Sequence, residues 1–324
     1  MFNKKLVSNI KVKIYIMISI VICADLLSCA SVSKKTGSWR QLMQNTQATN
    51  HIELYHEFYG SGDPILLIHG FGGSTYSWRE LIPHLSQRNK IIALDLKGFG
   101  KSPKPEDSEY SIYNQASLVI NFIQEHELES ITLVGHSYGG AVALVVALTM
   151  LESNPTLLSK LILIDSVAYA QPMPSFIKVL RTPILRWIVR LILTKKQQVK
   201  SVLKLGYYDD DKINDGAVRV YVEALDSPGG KHAIVQVAEQ IIPEDIEELC
   251  SVYKNIEVPT LILWGREDEI IPLWVGKRLA SEMPDSDLVI IEQCGHIPHE
   301  EKPEKTIKII TRFLEETTLG ARGG

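Results

Sequence analysis

The sequence predicts an α/β fold: a mostly parallel sheet covered by helices on both faces and interrupted by a helical cap. Three observations predict it. Short apolar runs alternate with helix-compatible stretches along most of the chain. Several of those runs are apolar at successive positions, the pattern of strands buried on both faces. Between Val167 and about Pro243 the alternation stops, and helical patterns punctuated by Pro172, Pro174, Pro183 and Pro228 carry no convincing strand. The 324 residues, 45% of them apolar, suffice for a full-sized core, which excludes intrinsic disorder and a disulfide-stapled miniprotein. A net charge of −4 offers no global cationic field, so nucleic acid is not an expected partner.

The first 28 residues read as an export signal. Lys4, Lys5, Lys11 and Lys13 form a positive entry to the apolar run Ile14–Cys23. That run is about half the ~20 residues a spanning helix needs, and Asp25 follows it. Leu26, Leu27, Ser28 and Cys29 resemble the lipobox of bacterial lipoproteins, which implies lipidation at Cys29, membrane association through that lipid, and an exported, envelope-anchored protein. An ordinary cleaved signal and an uncleaved anchor are the alternatives. Residues 29–50, rich in Ser, Thr, Gln and Asn, read as a spacer. Only Cys250 and Cys294 lie beyond it, so no disulfide network is expected, and a single bridge between them is an open possibility.

The core is expected over 51–166 and 244–317. Its strand candidates are Ile52–Phe58, Pro64–His69, Lys90–Asp95, Ile131–Gly135, Leu161–Asp165, Thr260–Trp264 and Leu288–Ile291, with helices over Ser111–His126 and Ala141–Leu151. The cap is expected over 167–243. Within it Phe176–Leu193 reads as a helix packed on the core beside a substrate entrance, with membrane contact as the alternative. Residues 318–324 read as a tail.

The chemistry concentrates in a few loops. Gly135-His136-Ser137-Tyr138-Gly139 is a G-x-S-x-G pentad between a strand and a helix, a sharp turn that projects the serine hydroxyl out of the sheet. Such a hydroxyl attacks a carbonyl only if an oriented base removes its proton. His296, on a Gly-containing loop after the last strand, is the candidate base. Asp268, after the preceding strand, is the candidate orienting acid, and the order Ser, Asp, His suits this arrangement. Asp165, also at a strand end, is the competing acid. The backbone amides of Phe71, in His69-Gly70-Phe71-Gly72-Gly73, and of Tyr138 are the candidate oxyanion donors. His69 is read as structural. Gly98-Phe99-Gly100-Lys101-Ser102 fails the phosphate-loop pattern, because its first glycine would fall on Asp95. The nine histidines form no H-E-x-x-H, and no metal or other cofactor is expected.

The segments LLIHGFGGS, IIALDLKGFGKS, LVGHSYGG, LILWGREDEIIP and GHIPHEEKP make the chain from His51 to about Thr317 resemble a capped α/β-hydrolase. That group includes epoxide hydrolases, haloalkane dehalogenases, meta-cleavage C–C hydrolases and lipase-like esterases. The resemblance implies the α/β-hydrolase fold. Ser137 stands where epoxide hydrolases and dehalogenases carry an aspartate nucleophile, which argues against both. The C–C hydrolases resemble one another in a tryptophan directly after the histidine, where this chain has Ile297, and in a different oxyanion loop. The expectation is a serine esterase acting through an acyl-enzyme on a small-molecule ester with an apolar acyl part. C–C hydrolysis or perhydrolysis by the same residues, and a non-catalytic ligand- or partner-binding lipoprotein, are the alternatives.

Overall fold

The computed structural model describes residues 38–47 and 52–320. The expected export signal and Cys29 lie outside the described residues. All seven expected strands are present: β1 (His56–Tyr59), β2 (Asp63–Ile68), β3 (Asn89–Leu94), β4 (Ile131–His136), β5 (Leu158–Ile164), β6 (Thr260–Gly265) and β7 (Ser286–Ile291). They form one sheet in the order β1-β3-β2-β4-β5-β6-β7. Only β1 runs antiparallel, pairing His56 with Leu94 and Tyr59 with Ile91. It starts later than its apolar pattern suggests and is half exposed, as suits an edge strand. β4, in the middle of the sheet, is buried at every position.

Each face of the sheet carries its own core. One is built around the helices Ile112–Glu125 and Tyr138–Ser153, the other around Trp78, Leu81, Ile310 and Phe313. The Tyr138–Ser153 helix is apolar all round, and all of its residues from Tyr138 to Leu148 are buried, as such a helix requires. The Ile112–Glu125 helix starts at a capping box, in which the Ser111 hydroxyl accepts from the Asn114 N–H while the Asn114 side chain accepts from Ser111.

Three local readings differ from expectation. Within the spacer, Trp39–Gln47 is helical, and Trp39 and Met43, one turn apart, are buried in the core. At the far end the Pro303–Gly320 helix runs into the expected tail. Phe176–Leu193 is two helices, Ser175–Arg181 and Pro183–Ile192, because Pro183 has no N–H to continue the first but suits the first turn of the second. Between β5 and β6 the helices Lys195–Gly206, Asp215–Asp226 and Gly230–Gln240 follow them. Cys250 and Cys294 are both free and buried. Among the described residues no helix is long and apolar enough to cross a membrane.

Candidate active site

Because β2 and β4–β7 run parallel, the loops that leave their C-terminal ends meet along one edge of the sheet. Ser137 follows β4 directly and caps the Tyr138–Ser153 helix in a conformation that L-residues avoid, with φ 53° and ψ −118°. Its N–H donates to the Ile164 carbonyl at 2.9 Å, and its own carbonyl accepts from Gly140 and Val167. The glycines at this turn are steric necessities: a Cβ on Gly139 would lie 2.4 Å from the carbonyl oxygens of Ile68 and His69.

Ser137, His296 and Asp268 come together from loops far apart in sequence. Ser137 Oγ lies 2.8 Å from His296 Nε2, and His296 Nδ1 lies 2.8 Å from Asp268 Oδ2. With Nδ1–H donating to the carboxylate, Nε2 is left to accept the serine proton. The other Asp268 oxygen accepts from the N–H groups of Ile270 and Ile271 at 2.7 and 2.9 Å, so the carboxylate is fixed on both sides. All three side chains are buried.

Asp165 is not hydrogen-bonded to His296. Its Oδ1 accepts from the Gly265 N–H at 2.9 Å, while Oδ2 is buried without a partner. Burial foremost, and then the neighbouring charge of Asp268, pushes its carboxyl well above the usual carboxylate range. One ligand-type atom each of Asp165, Asp268 and His296 lie within 4.8 Å of one another, the single grouping among the described residues that could hold a metal. Both Asp268 oxygens and both His296 nitrogens are already engaged in the hydrogen bonds above.

Tyr138 is the first residue of its helix, so its N–H is one of the donors a helix leaves without an intrahelical acceptor, at the positive end of the helix dipole. Phe71 lies in the turn after β2, closed by the Gly73 N–H donating to the Gly70 carbonyl. Phe71 and Ser137 line one apolar cavity with Phe176 and Ile177 from the cap, Ile241 from the cap's end, and Ile271.

Several supporting groups escaped the sequence reading. His136 Nε2–H donates to the His296 carbonyl at 2.9 Å, tying the elbow to the histidine loop. The buried Glu301 carboxylate accepts from Gly295 N–H at 2.7 Å and from Asp209 N–H at 2.8 Å. The His296 N–H donates to the Gly206 carbonyl at 2.7 Å, so the cap holds the histidine loop as well as covering it. The glutamate could have been suspected only from its place in His299-Glu300-Glu301, since nothing in the sequence marks which of two adjacent carboxylates accepts from the histidine loop and which pairs with Arg79. His69 accepts at Nε2 from Leu96 N–H and donates from Nδ1 to the Gly70 carbonyl, which holds its own loop. The 98–102 loop closes after β3, where Gly98 N–H donates to Pro103 O and Asp95 accepts from Lys101 N–H.

Comparison with known proteins agrees with this construction. The family model described as alpha/beta hydrolase fold matches residues 63–303. The uncharacterized hydrolase YugF of Bacillus subtilis is 31% identical over 270 residues, covering 82% of this chain and 95% of its own. Lipase 3 of Moraxella sp. is 26% identical over 260 residues, covering 79% and 78%. A variant of the meta-cleavage product hydrolase CumD of Pseudomonas fluorescens superposes with a TM-score of 0.69 at 25% identity, over 82% of this chain and 95% of that one. Since the match runs through both halves of the sheet and across the cap between them, the chain belongs to the α/β-hydrolase fold family and is a hydrolase of that kind.

Proposed function

We propose that the protein is a serine hydrolase that cleaves carboxylic esters with an apolar acyl part through an acyl-enzyme. The observation that carries this reading is the continuous relay Asp268–His296–Ser137, with both contacts at 2.8 Å, opening on an apolar cavity. Ser137 Oγ attacks the ester carbonyl while His296 Nε2 takes its proton, and Asp268 holds the tautomer and stabilises the imidazolium. The amides of Phe71 and Tyr138 receive the oxyanion, each such donor being worth ~2.7–4 kcal/mol of barrier. Collapse of the tetrahedral species breaks the ester C–O bond. His296 returns the proton to the departing alcohol, then activates the water that releases the acid.

Ser137→Ala is the direct test: p-nitrophenyl ester turnover and labelling by a fluorophosphonate probe are both expected to disappear. Undiminished turnover would overturn the assignment. Hydrolysis of a C–C bond by the same residues is the second reading, supported by the likeness to a meta-cleavage product hydrolase. The cavity speaks for the ester, because no charged side chain lines it. Turnover of a dienoic diketone far above that of any ester would reverse the preference. We also propose export and attachment through a lipid on Cys29, for which labelled palmitate incorporation, lost in Cys29→Ala, is the check.

A further inference from the structure

Charge is unevenly distributed along this chain. Residues 167–243 hold eleven basic and seven acidic side chains, a net +4, in a chain whose total is −4. Residues 172–208 contain eight Lys and Arg and no Asp or Glu. Some of these cations have acidic neighbours: Lys195 pairs with Asp226, Lys200 with Asp215 at 3.1 Å, Lys204 with Asp210, and Arg186 lies 3.6 Å from Glu239. These acidic partners are already counted among the seven, so an excess of four positive charges stays with the cap.

The Pro183–Ile192 helix adds an apolar face to that charge. Ile184, Trp187 and Leu191 are 70%, 62% and 67% exposed. Their spacing of three and four residues puts them on one side of the helix, with exposed Arg190 beside them, whereas Leu185 alone is buried. A tryptophan between aliphatic side chains, with cations at the margin, matches the boundary between lipid headgroups and acyl chains. A second copy of this surface would bring two positively charged caps together. An anionic bilayer instead meets the cap's +4 with opposite charge and repels the −8 left on the rest of the chain, which orients the molecule cap-down. Thr182 alone separates this helix from Ser175–Arg181, whose Phe176 and Ile177 line the cavity beside Ser137.

We propose that the Ile184–Trp187–Leu191 face of the cap docks on an anionic lipid bilayer, with Arg190 toward the lipid phosphates. Docked in this way, the cavity wall lies next to the phase in which apolar acyl compounds dissolve. The inference concerns where the cap sits and does not depend on which bond the enzyme breaks.

Attachment of the whole chain to vesicles is a poor readout, because its first 28 residues include an apolar run of their own. The position of Trp187 is the specific one. The full-length protein is mixed with vesicles of brominated phosphatidylcholine, with or without one quarter phosphatidylglycerol, and the Trp187 emission is taken as the difference from a Trp187→Phe variant. At least twofold quenching in the anionic vesicles is expected, with markedly less in the zwitterionic ones. The Ile184→Ser/Leu191→Ser variant should lose the quenching while keeping its thermal midpoint, which shows that it folds. Three results would overturn the proposal: Trp187 equally open to aqueous iodide with and without vesicles, equal quenching in both vesicle types, or a concentration-dependent blue shift without lipid, which would assign the face to a contact between copies.

Discussion

Asp165 and Asp268 both leave the ends of parallel strands, and the sequence alone offers either as partner to His296. Geometry separates them: Asp268 makes the 2.8 Å contact and has its second oxygen held by two amides, whereas the Asp165 carboxylate accepts from Gly265 N–H and makes no hydrogen bond to His296. Asp268→Asn should therefore lower kcat by about 10⁴, the loss expected when the triad carboxylate becomes an amide and the histidine takes the wrong tautomer. Asp165→Asn keeps an acceptor for Gly265 and tolerates the left-handed backbone at φ 43°, so it should stay within about tenfold of the parent. Steady-state kinetics on one p-nitrophenyl ester decides between them, and a larger loss at Asp165 than at Asp268 would exchange their roles. The serine, the histidine and both acids were legible in the sequence because chemistry restricts residue type at each place. Which acid faces the ring was not, since that depends on where two separate loops end in space.

At the scale of elements, the strands were legible because burial on both faces demands apolar residues at nearly every position, and β4 illustrates this from Ile131 to Val134. The Trp39–Gln47 helix was not, for the complementary reason: most of it is polar, and its attachment rests on Trp39, Met43 and the half-buried Leu42. Trp39→Ala should then cost about 3–5 kcal/mol, read as a lower urea midpoint at unchanged slope. A shift below about 0.5 kcal/mol would mean that the helix adds nothing to the core. The elbow makes the opposite demand, for the absence of a side chain. Gly139→Ala brings a methyl against the backbone of Ile68 and His69, where neither neighbour can turn aside, so a loss of about 1–3 kcal/mol or more is expected in the same measurement, together with lower turnover as Ser137 is displaced.

Across the whole molecule, the junction of core and cap buries imidazoles that must stay neutral. His69, His136 and His299 are all fully or almost fully buried. Burial is the main cause that lowers each of them: His136 falls well below the ordinary histidine value, with the neighbouring His299 and His296 adding to the effect, and His299 falls to about 3, with Arg79 and His296 adding. The unfolded chain binds protons at these rings below about pH 6.5, where the folded chain does not, so stability is highest above that pH and declines as acid is added. Asp165 and Glu300 are raised by burial and act in the opposite sense, favouring the fold at low pH and losing that contribution as pH rises through their folded values. A single substitution separates the two groups. His299 lies against Trp78, the two rings tilted by 31° with centroids 4.7 Å apart, and neither of its nitrogens has a partner, so His299→Leu removes the titration without breaking a hydrogen bond. The difference in unfolding free energy between variant and parent should grow in the variant's favour by about 1.4 kcal/mol per pH unit from about pH 6 down toward pH 3. Urea titrations at pH 7.5, 6, 5 and 4 measure it, and parallel curves for the two proteins would mean that His299 is protonated within the folded state.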